Sequence, residues 1–246
     1  MKEVVVSLSE SRACLYSPGS LSEIACAGFG PEDSASLAAK QVGEGLGFGF
    51  KGKRLVLAAD SRKTIIRIAS AKENTLKRGL FGKRLGNENA WEVIKEVFPF
   101  GPAINEDSHV FDISLFGERT LACFGLPADV CARLADMGSK LSGSLHRVKR
   151  LEAIEHLLFR KICKDGFPHK DCIAVFHQDG GLRVLVTKDR LPEGAFFVSN
   201  HPTRREEEFL RILDSLEGRR EIVKLGGVEK QEELNWINKF HEELRK

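Results

Sequence analysis

No stretch of this 246-residue chain approaches the roughly 18 to 20 uninterrupted apolar residues that a membrane-spanning helix needs. The opening, Met-Lys-Glu-Val-Val-Val-Ser, lacks the long apolar segment and small-residue cleavage site of a secretory signal, so a cytoplasmic chain is expected. Charge of one sign is also missing: 38 Lys and Arg face 35 Asp and Glu. The basic pairs Lys53-Arg54, Arg62-Lys63, Lys149-Arg150 and Arg219-Arg220 are scattered. Nucleic acid as the main ligand would need them gathered on one face or in a recognisable module. There is no Cys-x-x-Cys pair; Cys14, Cys26, Cys123, Cys131, Cys163 and Cys172 read as small buried hydrophobes. The set Cys163, His169, Cys172 and His177 fails as a zinc site, because positions 172 and 177 of a continuing strand face opposite ways. Seven histidines show no His-x-x-x-His spacing, and neither a Gly-x-Ser-x-Gly elbow nor a Gly-x-x-x-x-Gly-Lys-Ser/Thr loop occurs. Metal hydrolysis, acyl transfer on such an elbow and P-loop chemistry therefore have no sequence support, and no catalytic or metal residue is assigned. Tyrosine is single (Tyr16), whereas 16 Phe fall mostly on strand and helix stripes and belong to a core.

What is present is a 42% apolar chain, ample for a real core. Short strands are expected at 3–8, 12–16 and 23–27, then a helix from about Pro31 that fades into Gly43–Gly49, a flexible link. Arg54–Ala59 is apolar enough for a strand buried on both faces. Thr64–Ile68 alternates as a strand. Lys77-Arg78-Gly79-Leu80-Phe81-Gly82-Lys83-Arg84 is the densest charge cluster; it reads as solvated loop, with anionic lipid or an acidic partner as the alternative. Trp91, Ile94, Val97 and Phe98 form a helical stripe closed by Pro99 and Pro102. Strands follow at 109–115 and 119–126, a helix from Pro127 to about Met137, and a long amphipathic helix over 148–163. The last third repeats the opening. Strands at 172–176, 182–187 and 195–199, with an Asp179-Gly180-Gly181 turn, precede a helix capped by Thr203 and Glu206, a strand at 221–225, Gly226-Gly227 and a final helix. Arg204-Arg205 in that helix's first turn oppose its dipole and are offset by Glu206, Glu207 and Glu208.

Strand, strand, strand, helix, strand, occurring twice, describes two ribonuclease H-like units and an α/β, two-lobed, actin-like ATPase fold. The first lobe is expected over 1–165, with an extra subdomain inserted at about 62–145, and a reduced second lobe over 166–246.

In this order the chain resembles the type IV pilus assembly protein PilM and the cytoplasmic actin-like part of the type II secretion protein GspL. Leu55–Ala59 with Thr64–Arg67 resembles that family's strand pair at the start of its extra subdomain. Trp91–Phe98 before Pro99-Phe100 is similar to its amphipathic helix ending near an "IPF". Arg119–Leu126 followed by Pro127–Gly138 resembles its strand and the helix leading to its "AGL" turn. Glu206–Leu216 with Ile222-Val223-Lys224-Leu225-Gly226-Gly227 resembles its last helix and "IyLsGG" strand. The resemblance implies a cytoplasmic scaffold at the inner face of the inner membrane. Its partner would be a pilus or secretion protein, whose short cytoplasmic tail lies in a groove formed partly by residues 62–126. It also implies nucleotide-contacting positions: Ser7 and Ser9 in the first hairpin, Gly226 and Gly227 where adenosine packs, all conditional on ATP and Mg²⁺ binding. The departures argue against that cofactor. The first hairpin, Val6-Ser7-Leu8-Ser9-Glu10-Ser11, has no Asp, and in the second Phe176 and Gln178 stand where the family has Asp and Gly. A scaffold without ATP hydrolysis is the expectation; a functional ATP-binding protein, ATPase or small-molecule kinase, is the alternative. The resemblance to GspL also implies a further alternative, that the last helix, ending Glu-Glu-Leu-Arg-Lys, precedes a membrane span in a longer parent chain.

Overall fold

Three consecutive valines open the chain, and Val4 and Val6 turn inward with Leu8. In a computed structural model they form β1 (Glu3–Leu8). The structure describes residues 3–9, 13–17, 20–24, 35–46, 54–71, 76–79, 82–85, 94–95, 97–98, 104–105, 107–143, 147–178, 180–216 and 220–225. The chain divides into two compact units, Met1–Leu158 and Phe159–Lys246.

In the first unit β1 is continued by β2 (Ala13–Ser17) and β3 (Ser20–Ile24) as an antiparallel meander. The third strand starts earlier than the sequence pattern suggests, because Ser20 already pairs with Ser17. α1 (Ala35–Leu46) buries Ala38, Ala39, Val42 and Leu46. The chain then returns as β4 (Arg54–Ala59), parallel to β1 and buried from Leu55 to Ala59. Such an all-apolar strand, with no polar face, is what a central parallel position demands.

The excursion after β4 builds a second sheet from β5 (Ile65–Ser70), β8 (His109–Phe116) and β9 (Thr120–Pro127), antiparallel, in the order β5-β9-β8. Of the expected stripe of Trp91, Ile94, Val97 and Phe98, the last three pack against Phe111, Ile113, Leu115, Leu121 and Cys123 of that sheet, and Trp91 lies outside the described residues. Phe98 N donates to Ile94 O at 2.7 Å, the helical bond of that segment. The Lys/Arg-rich stretch is not a loop. It forms a ribbon of β6 (Leu76–Gly79) and β7 (Gly82–Leu85), a register of four pairs from Leu76↔Leu85 to Gly79↔Gly82.

α2 (Ala128–Gly143) leads back to the main sheet, where β10 (Arg147–Ala153) pairs in parallel with β4 to complete the order β10-β4-β1-β2-β3. The expected long helix over 148–163 is therefore half strand: α3 occupies only Ile154–Ile162. A bulge explains the misreading. Val148 pairs with Leu55 and Arg150 with Val56, leaving Lys149 over. The extra residue lets Val148 and Leu151, three apart, both lie beside Gly138 of α2, a spacing that imitates a helix.

The second unit takes the residues of α3 from Phe159 onward. A meander of β11 (Cys172–Gln178), β12 (Gly181–Lys188) and β13 (Leu191–Ser199) is extended by α4 (Pro202–Asp214) and by β14 (Glu221–Lys224), parallel to β11; the order is β13-β12-β11-β14. Phe209 and Ile212 of α4 pack on Ile173, Val175, Leu182, Val184, Val186 and Val198. Pro192 sits in the outer strand β13, where a missing ladder donor is tolerated. α4 begins at Pro202, with His201 at the N-cap position and no side-chain cap bond. The expected Thr203 cap is thus overturned; proline at the first helical position sets the start one residue earlier. Gly226, Gly227 and the final helix lie outside the described residues.

Each unit carries the antiparallel meander, crossover helix and parallel strand of a ribonuclease H-like fold, and the first holds an inserted sheet. Among the described residues no helix is long and apolar enough to cross a membrane.

Candidate functional site

The carboxyl ends of parallel strands are where α/β sheets gather ligands, and the first unit places its buried polar residues there. Ser7 lies within β1, pairing with Cys14 and Ala58, and Ser9 just beyond it. Asp60 follows β4 and donates its backbone N–H to Leu8 O at 2.8 Å. Glu152 ends β10, and Glu155 and His156 open α3. All six residues are buried. Asp60 and Glu155 were not singled out by sequence reasoning. The signal available for Asp60 was its place directly after an apolar strand; Glu155 was masked by the helix assignment over 148–163. No aspartate occurs among residues 3–9, so the carboxylate near the first hairpin comes from the neighbouring strand. Among the described residues no group of His, Cys, Asp and Glu is arranged to hold a metal ion.

In the second unit Gln178 is fully buried at the end of β11 and Phe176 nearly so. Gln178 pairs with Gly181, and Gly180 takes a φ of 80°, the left-handed geometry of a tight hairpin. Asp179 lies outside the described residues. Arg183 lies buried on β12 with its guanidinium 5.6 Å from the ring centroid of Phe197. Of the four positions tied to nucleotide, Ser7 and Ser9 are buried in the first unit; Gly226 and Gly227 fall outside the described residues.

The joint between the inserted sheet and β10–α3 is held by one imidazole. His156 Nε2 and Ser114 Oγ of β8 are 2.6 Å apart. Nδ1 lies 2.8 Å from Asp112 Oδ2 and 3.4 Å from Glu152 Oε2, both off the N–H line, so charge and proximity act there without a hydrogen bond. Glu152 in turn accepts from Arg150 Nε at 2.8 Å. Phe124 stacks on the ring at 4.6 Å. Two carboxylates favour the proton on Nδ1, which makes Nε2 the acceptor of the Ser114 hydroxyl. A nucleophile, a base and an acid in this order resemble a covalent catalyst. Burial argues otherwise: the imidazole side chain is only 5% exposed, and Asp112, at 56%, is the open member. The arrangement is a clamp between three strands and a helix.

Along β8 the residues alternate. Phe111, Ile113 and Leu115 pack inward, while Val110 and Asp112 are exposed and Ser114 is half-buried. Among the described residues β8 is the outer strand of its sheet, paired on one side with β9. An outer strand with an apolar and an acidic side chain on show suits an extended peptide, which takes affinity from backbone bonds and selectivity from such side chains.

The thiols are quiet. Cys172 Sγ and Thr187 Oγ1 share a hydrogen bond at 3.2 Å. Burial pushes Cys123 and Cys163 up to about 12 and Cys131 up to about 11, with Asp112 adding to the first and Asp129 to the last.

No protein-family model matches this sequence, and no curated protein sequence does. Solved structures do match. The cytoplasmic domain of EpsL, an inner-membrane component of the type II secretion system of Vibrio cholerae, aligns with a TM-score of 0.51 at 12% identity, over 93% of this chain and 86% of that one. A Bacteroides thetaiotaomicron protein with an actin-like ATPase fold and unknown function aligns with a TM-score of 0.58 at 12% identity, over 97% and 87%. The PilM–PilN type IV pilus biogenesis complex aligns with a TM-score of 0.52 at 14% identity, over 87% and 66%. The chain has the actin-like fold of these proteins, and its structural neighbours include both members of the resemblance drawn from the sequence.

Proposed function

We propose that this chain is an actin-like scaffold of a type IV pilus or type II secretion assembly platform. It works on the cytoplasmic side of an inner membrane, holds the short cytoplasmic tail of a membrane partner, and does not hydrolyse ATP. The observation that carries this reading is the likeness, over nearly the whole chain, to the EpsL cytoplasmic domain and to PilM in its complex with PilN. The outer strand β8, with Val110 and Asp112 exposed, supports a tail site on the inserted sheet. The absence of aspartate from residues 3–9, and Phe176 and Gln178 in the second hairpin, support silence toward Mg-ATP.

One observation favours the alternative of a functional nucleotide binder: Asp60 and Glu155 put buried carboxylates at the carboxyl ends of the parallel strands. Two titrations of the purified chain separate the readings. Peptides copying the cytoplasmic tails of membrane proteins encoded nearby should bind, and Val110→Glu should weaken the tightest of them roughly tenfold. Mg-ATP at a hundredfold excess over a low-micromolar Kd would stabilise a binder by about 2.7 kcal/mol. The scaffold reading expects no shift in Tm. Tail peptides that all fail to bind, together with a shift of that size, would transfer the assignment to the nucleotide binder.

A further inference from the structure

We infer, on the tail reading above, that the segment held along β8 carries a Lys or Arg two positions from an apolar residue. The cation meets Asp112 and the apolar side chain meets Val110.

Val110, Asp112 and Ser114 share one face of β8, since successive residues of a strand alternate. His156 closes that face at Ser114. Further along it is open: Val110 is 52% exposed and the Asp112 side chain 56%. The surroundings of Asp112 on this face are apolar. Phe124 and Ile66 share its rung, and Leu126 and Ala122 lie on the rungs to either side. Asp112 is the one ionisable group on these rungs. The imidazole of His156 meets it off the N–H line and gives it no hydrogen bond. A carboxylate accepts as many as about four donors, so Asp112 has capacity for a cation from outside whatever its present partners.

The sequence around β8 points the same way. Between Lys95 and Arg119 there is no Lys or Arg, whereas Glu96, Glu106, Asp107, Asp112 and Glu118 are acidic; the whole chain carries +3. β8 therefore lies in an acidic stretch of a basic chain. Cytoplasmic segments beside a membrane span have the opposite bias, an excess of Lys and Arg. A peptide added to an outer strand sets its residues directly opposite those of that strand, and opposite charges so placed attract. Peptide positions two apart then face Asp112 and Val110 in turn. Whether the cation precedes or follows the apolar residue depends on the direction in which the tail runs.

The test needs no identified tail. A phage-displayed library of random ten-residue peptides is selected on the full chain and, in parallel, on Asp112→Lys. The native chain should enrich a Lys or Arg two positions from an apolar residue, and Asp112→Lys should enrich Asp or Glu at the same place. The best native binder, resynthesised with its cation changed to Gln, should bind roughly fivefold more weakly, the size of a well-placed exposed ion pair. Asp112→Asn should weaken the unchanged peptide equally, and the two changes together should cost no more than either alone. Binding should also fall between about 0.05 and 0.5 M salt. Asp214→Asn, which removes the same charge from an exposed position on α4, should bind like the native chain. Circular dichroism monitors folding; if Asp112→Lys does not fold, the isosteric Asp112→Asn takes its place and should lose the preference for a cation. A motif without charge preference, or a preference unmoved by substitution at Asp112, would overturn the inference and leave the tail reading standing. No motif enriched by either protein would overturn both.

Discussion

The imidazole of His156 makes the sharpest residue-level claim, because one ring meets Ser114, Asp112, Glu152 and Phe124. If it is a clamp, its loss should be costly and the loss of the serine hydroxyl modest. His156→Ala should lower the unfolding free energy by about 2–4 kcal/mol, from the buried cavity left by the ring and the lost hydrogen bond to Ser114. Ser114→Ala should cost about 1 kcal/mol. Urea denaturation of both variants checks this; equal, negligible effects would mean that the ring holds nothing. None of this was legible in the sequence. Asp112 and Ser114 are two apart on one strand, but His156 comes from 42 positions further on, and only the return of β10 beneath the inserted sheet brings it there. Ser7 and Ser9 were named only through the family resemblance, and the structure adds that both are buried. Asp60 was not legible, because its role depends on which strand lies beside β1.

At the scale of elements, the hairpin between β11 and β12 is governed by Gly181. A Cβ there would lie 2.1 Å from Val198 O, which belongs to the backbone of β13 and cannot swing aside. Gly181→Ala should therefore destabilise by about 3 kcal/mol or more and raise amide exchange across β12 and β13. At Gly194 the clash is with the Phe196 ring, which can turn, so Gly194→Ala should cost less. Thermal melts of the two variants rank them, and the reverse order would contradict the packing described. Most strands were visible in advance because the buried faces left runs such as Arg54–Ala59 and the Asp179-Gly180-Gly181 turn. The elements missed share a cause. β10 was hidden by its bulge, and the β6–β7 ribbon by a composition that carries no period-2 contrast between faces.

For the molecule as a whole, buried thiols set a pH limit. An unfolded thiol loses its proton near pH 9, whereas Cys123 and Cys163 keep theirs to about 12 and Cys131 to about 11. A group whose native pKa is raised contributes its full stability below the unfolded pKa and loses it as pH climbs toward the native one. The denaturation midpoint should thus hold up to about pH 8.5 and fall between roughly 9 and 12. Cys123→Ala with Cys163→Ala should flatten that fall; a slope unchanged by the double substitution would show that other groups cause it. The doubled strand-and-helix order was readable at this scale because it rests on sequence order, which bulges and caps do not alter.

The spare residue in β10 has a consequence for descent. Lys149 has no rung of its own against β4, since its neighbours Val148 and Arg150 take Leu55 and Val56. Deleting it would restore even pairing without turning Val148 or Leu151 away from α2. Chains of shared ancestry should therefore differ by a single-codon gap at this point inside a strand, a place where such gaps are otherwise purged.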